Sequence, residues 1–209
     1  INDALGHPVG DHLLQAVARR LEETVSRHEV VARLGGDEFA VLVNAHRIDK
    51  MDELAAAIVE RLCEPFSLQD HDVVIGTSIG IASAPDDAHD ADMLMRKADL
   101  ALYSAKSAGR NRFMRFEPDM DEAAQTRRQI ESDLRGALAR GELRLHYQQL
   151  INLETAEASG YEALIRWEHP ERGTVMPGTF IPVAEETGLI IPIGEWVLRQ
   201  AVEDLARWE

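Results

Sequence analysis

Gly35-Gly36-Asp37-Glu38 places two glycines directly before two carboxylates, with Val30-Val31-Ala32 upstream and Phe39-Ala40-Val41-Leu42-Val43 downstream. Two β-prone runs around a Gly-Gly pair predict a β-hairpin. A turn needs only flexible or polar residues, so adjacent acids at its tip exceed the requirement. Glycine has no Cβ and lets a ligand approach the main chain. Paired carboxylates beside such a surface have the chemistry to hold Mg²⁺ against a phosphate. On spacing alone, a plain solvated hairpin is the commoner reading. Asp86, Asp87, His89, Asp90 and Asp92 are metal-like in type but lack a fixed ligand spacing, and they read as a solvated loop and helix cap.

The elements that must position these residues alternate between helix and strand. Leu14, Val17, Leu21 and Val25 recur at helical spacing over 11–26, with Leu13 and Ala18 beside them. The hairpin spans 30–43. Met51, Leu54, Ala55, Ile58 and Leu62 define a second helix over 50–64, and Val73–Ile81 reads as one buried strand with glycines where backbones approach. A helix over 90–108 stops at Gly109, and 112–116 forms a short closing strand. From Asp119 to Arg140 a polar helix carries a thin stripe of Met120, Ile130, Leu134 and Leu138, which reads as a connector. Strands at 143–148 and 158–166 and helices near 178–187 and 193–208 follow. The expected class is α/β.

The 209 residues allow one large domain or two ordinary ones, and a hydrophobic fraction of 45% is enough to bury a real core. The single cysteine, Cys63, permits no internal disulfide. No apolar run approaches the roughly 20 residues of a membrane span. A net charge of −15 argues against a generic nucleic-acid or anionic-membrane surface. A polyanionic substrate would have to be met by local cations and metal.

Three segments together resemble the GGDEF family, the diguanylate cyclases, which condense two GTP into cyclic di-GMP. Gly35–Phe39 carries the signature. Asn2-Asp3-Ala4-Leu5-Gly6-His7-Pro8-Val9-Gly10-Asp11 is similar to the family's N-D-x-x-G-H-x-x-G-D, and Ala98–Asn111 to its A-D-x-A-L-Y-x-A-K-x-x-G-R-N. The resemblance implies that Asp37 and Glu38 supply carboxylates to Mg²⁺ (or Mn²⁺) and take part in catalysis. It further implies that Gly35 and Gly36 let the nucleotide lie on the hairpin, that Lys106 and Arg110 hold the β- and γ-phosphates, and that Asn2 and Asp11 read the guanine. Each has a plainer alternative: Asp11 as the N-cap of its helix, and Lys106 and Arg110 as complements to a helix dipole. His7 fits a structural turn. Each cyclase domain holds one GTP, so a homodimer is implied. Many cyclases carry an inhibitory product site, R-x-x-D, where this chain reads Ser26-Arg27-His28-Glu29; weak or absent feedback inhibition is expected.

Beyond residue 140 the chain resembles the opening of an EAL domain, the phosphodiesterase that linearises cyclic di-GMP on a modified TIM barrel. The resemblance rests on Leu145-His146-Tyr147-Gln148, Glu162-Ala163-Leu164-Ile165-Arg166-Trp167, His169-Pro170 and Phe180–Glu185. It implies Glu162 as a catalytic metal ligand, Arg166 on a substrate phosphate and Gln148 on the ligand side, although the family's Tyr-Gln-Pro is Tyr147-Gln148-Gln149 here. Glu162 alone in a strand would more often be a paired surface acid.

The expected organisation is a GGDEF domain over 1–117 lacking its first strand, a connecting helix over 118–140, and the first part of an EAL barrel over 141–209. On this reading the chain is clipped at both ends and turns over little by itself. The implied setting is bacterial second-messenger signalling in the cytoplasm, or on the cytoplasmic side of a membrane-anchored protein. The alternative is a sensor that binds GTP or cyclic di-GMP with one or both domains catalytically silent.

Overall fold

Val9, Leu13, Val17 and Leu21 recur every fourth residue and form one buried stripe along helix α1 (His7–Thr24). The expected stripe was rotated by one position: Leu13 faces the core, and Leu14 is half-buried at its edge. The helix also starts earlier than its periodicity suggests. Gly6, at φ +84°, and Pro8 in the first turn initiate it. A computed structural model describes residues 6–44, 50–68 and 71–208. The chain divides into two compact units, Ile1–Asp121 and Glu122–Glu209.

In the first unit α1 packs with α2 (Met51–Cys63), whose Leu54, Ala55, Ile58 and Leu62 are buried on one face. The antiparallel hairpin of β1 (Val30–Gly35) and β2 (Glu38–Leu42) lays Val31 and Phe39 against this core. A second hairpin joins β3 (Phe66–Leu68) to β4 (His71–Val73). The run expected as one strand over 73–81 is therefore interrupted. β4 ends at Val73, residues 74–78 are irregular, and β5 (Ile79–Ile81) resumes as a partner of β6 (Phe113–Arg115) in parallel. Within the interruption, a Cβ on Gly76 would lie 2.0 Å from Asn111 Oδ1, so any larger residue there would displace that side chain. Gly80 makes the expected close approach, since a Cβ there would lie 2.0 Å from the Ala98 carbonyl of α3 (Ala91–Ser107).

Helix α4 (Asp119–Ala137), expected as a connector, also contributes core residues. Ile130, Leu134 and Ala137 are buried in the cluster of the second unit. That unit has an antiparallel sheet ordered β7 (Leu143–Ile151), β8 (Ala158–His169), β9 (Gly173–Val175). Helices α5 (Pro177–Thr187) and α6 (Ile190–Trp208) follow. Period-two patterning separates the sheet faces. Leu143, Ile165 and Trp167 point into the helical core, and Arg144, His146, Gln148 and Glu162 are exposed.

Candidate functional site

The tip of the first hairpin is built by three adjacent features. The register runs from Val30↔Leu42 to Arg33↔Phe39 and then shifts, so that Gly35 opposes Glu38. Gly36 takes φ +52°, a left-handed conformation that glycine adopts without steric cost. Arg33 closes the turn, donating from Nε and Nη2 to the Gly36 carbonyl at 3.0 and 2.8 Å. Asp37 and Glu38 are exposed. A Cβ placed on either Gly35 or Gly36 would meet nothing within 4 Å. Packing therefore does not require glycine at Gly35, and the turn presents bare main chain to whatever lies above it.

Beside the hairpin, a cleft of about 340 Å³ opens against α1, within the size range of small-ligand sites. Its lining includes Asp11, Leu14, Gln15, Arg33 and Phe39. Asp11 lies in the second turn of α1, so the helix-cap alternative for it is removed; Gly6 occupies that position. Asn2, its expected companion, lies outside the described residues. Gln15 and Arg33 were missed in the sequence. Asp11, Gln15, Ala18 and Glu22 share one α1 face at three- and four-residue spacing, and that period could have marked the wall. Asp37 and Glu38 are not among the residues lining the cleft.

Lys106 sits in the last turn of α3 and is exposed. Arg110, expected on the same helical face, lies beyond the helix. Gly109, Arg110 and Asn111 take successive positive φ values of 110, 59 and 50°, and Arg110 N–H bonds the Ala105 carbonyl at 3.1 Å. Glycine ends the helix and releases Arg110 into the turn. Among the described residues, neither Lys106 nor Arg110 has a carboxylate partner. Among the acids at 86–92, Asp90 caps α3 by accepting from Met93 N–H at 2.8 Å, and Asp87 closes the loop by accepting from Ser83 N–H at 2.6 Å. Ser26 and Glu29 close on each other, since the Glu29 carboxylate accepts from Ser26 N–H and Glu29 N–H bonds the Ser26 carbonyl.

In the second unit Gln148 lies directly across from Glu162, and both are exposed. Arg166, four residues along β8, shares that parity and faces away from the helical core. Tyr147 belongs to the opposite face. Its hydroxyl donates to Asp204 Oδ2 at 2.7 Å, and its ring meets Trp208 edge-on. Burial, together with this carboxylate acceptor, pushes the phenol up to about 12. The bond to Tyr147 in turn holds Asp204 below its ordinary value.

A polar cluster ties α4 to the sheet. Glu142 accepts from Arg140 and, at 3.0 Å, from Trp167 Nε1. The Arg140 bond lowers its carboxyl to about 2 against the opposing effect of burial. His169 Nδ1 accepts from the Glu171 and Arg172 N–H groups, so Nε2 carries the proton and donates to Asp133 Oδ2 at 3.2 Å. Asp133 is held below the ordinary carboxylate value, chiefly by Gln129.

Among the described residues, no group of three His, Cys, Asp or Glu side chains is placed to hold a metal. The donor set at the hairpin still fits Mg²⁺, which uses one or two carboxylates, substrate phosphates and water rather than an all-protein cage. Asp37 and Glu38 are exposed hard oxygen donors beside open main chain.

The profile described as diguanylate cyclase, GGDEF domain, matches residues 1–112, and that of the EAL domain matches residues 131–209. Among curated proteins, the bifunctional diguanylate cyclase/cyclic di-GMP phosphodiesterase MucR of Pseudomonas aeruginosa is 45% identical over all of this chain. The cyclic di-GMP phosphodiesterase PdeR of Escherichia coli is 39% identical over the same span. The chain covers 30% and 31% of their lengths. Among solved structures, the GGDEF domain of TpbB (YfiN) from Pseudomonas aeruginosa aligns at TM-score 0.56 and 35% identity, covering 60% of this chain and 74% of that one. An EAL/GGDEF domain protein from M. capsulatus aligns at TM-score 0.51 and 40% identity, covering 56% and 76%. With the signature on its hairpin, the acid-bearing helix beside it and the EAL sequence on its second sheet, this chain belongs to the GGDEF family and continues into the beginning of an EAL domain.

Proposed function

We propose that the first unit binds GTP for diguanylate cyclase chemistry and that the second contributes to cyclic di-GMP phosphodiesterase chemistry, both within bacterial second-messenger signalling. The observation that carries the first half is the open main chain at Gly35–Gly36, held by Arg33 beside two exposed carboxylates and a cleft containing Asp11. In the cyclase reaction the 3′-oxygen of one GTP attacks the α-phosphorus of another, and pyrophosphate leaves. A divalent cation, when bound, neutralises phosphate charge. The residues of the chain position the reactants. Gly35 and Gly36 admit the nucleotide to the hairpin, and Asp37 and Glu38 are the groups that would hold the cation. One of these two would also accept the proton of the attacking hydroxyl. Asp11 accepts the N1–H and N2–H donors of guanine, which adenine does not offer in that arrangement. Lys106 and Arg110 meet the terminal phosphates, which is supported by their having no carboxylate partner among the described residues. Each cyclase domain supplies one GTP, so synthesis requires two domains face to face in a homodimer.

In the second unit Glu162 and Gln148, paired across β7 and β8 on the face away from the helices, are the groups that would meet the cation and the scissile phosphodiester. That face corresponds to a barrel interior, because barrel helices pack outside. Incubation of the full-length protein with Mg²⁺ and either GTP or cyclic di-GMP, with products resolved by chromatography, tests both halves. Cyclic di-GMP formed from GTP, or linear pGpG formed from cyclic di-GMP, supports the corresponding activity. Binding of either nucleotide without turnover assigns a sensor role to that half, and absence of binding removes it.

A further inference from the structure

Arg144 and Arg166 are direct cross-strand partners in the β7–β8 ladder. Both lie on the face that the helices leave uncovered, together with Gln148 and Glu162. Opposed residues in an antiparallel pair have Cα atoms about 4.5–5.5 Å apart, so two long side chains there share one patch of surface. Like charges directly opposite destabilise a sheet. This pairing is unexpected in a chain with 37 acidic and 22 basic side chains, where a carboxylate neighbour is the statistically easy solution. Among the described residues neither guanidinium has one. Arg144 Nη1 donates to the Gly141 and Leu143 carbonyls at 2.6 and 2.8 Å, and Arg166 Nη1 to the Ile165 carbonyl at 2.8 Å. Glu168, two residues beyond Arg166 on β8, instead accepts from Thr174 Oγ1 at 3.0 Å, and Glu142, two residues before Arg144, accepts from Arg140.

We propose that Arg144 joins Arg166 in a two-guanidinium seat for one phosphodiester group of a cyclic dinucleotide, which makes Arg144 a substrate-binding residue of the second unit. The inference rests on the phosphodiesterase reading of that unit. Guanidinium forks match phosphate oxygens bidentately, and two forks converging on one anion convert the repulsion between them into attraction through the ligand. In the free protein the pair costs stability; in the complex it contributes affinity. That opposition of signs separates a binding role from a structural one.

The test is calorimetric titration of the full-length protein with cyclic di-GMP in EDTA, where metal-dependent hydrolysis does not consume the ligand, combined with thermal melts of the free protein. For Arg144→Gln the expected result is an affinity loss of roughly tenfold or more, with a melting temperature equal to or above that of the wild type. Arg144→Lys retains the charge without the fork and should recover part of the loss. Arg135→Gln removes a surface charge already paired with Glu131 and should leave binding unchanged. Unchanged affinity in Arg144→Gln, with weakened binding in Arg166→Gln, would overturn the inference and leave the phosphodiesterase reading standing. An equal loss in Arg135→Gln would also overturn it, as an effect of net charge alone. No binding by the full-length wild-type protein removes the underlying reading and the inference together.

Discussion

Gly35→Ala and Gly36→Ala separate function from folding at the hairpin tip, because the two glycines are open for different reasons. A methyl at Gly35 meets no atom within 4 Å, and its φ lies outside the left-handed region. Gly35→Ala should therefore leave stability unchanged or raise it by about 0.4–1 kcal/mol, through the reduced conformational freedom of the unfolded chain. Gly36 has the same open space but φ +52°. An L-residue there costs about 1–2 kcal/mol, offset by about 0.4–1 kcal/mol from the unfolded state, for a net loss of about 0.5–1 kcal/mol. In a domain of this size that corresponds to a fall of about 2–8 °C in melting temperature. If the nucleotide lies on bare main chain, the methyl of Gly35→Ala occupies ligand volume, and GTP affinity should fall at least about tenfold, or 1.4 kcal/mol. The assay is GTP titration with Mg²⁺ by calorimetry on both variants, paired with urea and thermal denaturation. The diagnostic result is Gly35→Ala folded as well as the wild type yet deficient in GTP binding. Wild-type affinity in Gly35→Ala would refute the close approach of ligand to backbone. A stability loss above about 1 kcal/mol in the same variant would refute the openness on which the reasoning rests.

Gly80→Ala should cost more than about 3 kcal/mol, because its methyl would fall 2.0 Å from the Ala98 carbonyl and 2.2 Å from Leu102 N, both main-chain atoms of α3; denaturation midpoints measure it, and a loss below about 1 kcal/mol would disprove the contact. Glu142→Gln should destabilise the second unit near neutral pH by about 1–2 kcal/mol through the weakened Arg140 bonds. The folded-state carboxyl titrates at about 2, below its unfolded value of 4.5. Its stabilisation is therefore complete above about pH 5 and lost as pH falls toward 2. Stability–pH curves for wild type and variant should converge over that window, and parallel curves would count against the assignment. Feedback inhibition of the cyclase should be weak, because Ser26 stands where the inhibitory arginine would be and Glu29 is engaged with Ser26 N–H; sub-micromolar inhibition of GTP turnover by cyclic di-GMP would contradict this.

Helices were legible where one apolar stripe dominates, as in α2, whose expected core positions Leu54, Ala55, Ile58 and Leu62 are buried. In α1 the adjacent Leu13 and Leu14 made the stripe ambiguous by one position, and only packing decides which of the two faces the core. The β-branched run at 73–81 looked continuous because residue type does not report that its two ends pair with different strands, β4 with β3 and β5 with β6. Strands of three residues, such as Phe66–Leu68 and Gly173–Val175, are too short for a period to emerge. At the site, the hairpin and its acids are a local motif and were visible. The turn that carries Arg110 off the helix is set by positive φ at Gly109, Arg110 and Asn111, and spacing along a presumed helix cannot show it.

The register between β7 and β8 is the kind of information that a single sequence withholds, and the second sheet turns on it. Period two places Glu162, Leu164 and Arg166 on one face but says nothing about their partners. A one-residue slip would move every side chain of a strand to the other face. Here Leu143 and Trp167, 1% and 0% exposed, are paired within the helical core, and a slip would expel one of them or bury a charged neighbour. Burying an unpaired guanidinium costs several kcal/mol, so apolar packing on one face fixes the ladder for both. The same constraint sets Gln148 opposite Glu162 and Arg144 opposite Arg166. The two arginines are thus held together by the core beneath them and not by any favourable interaction between themselves. An anion between them would supply that interaction.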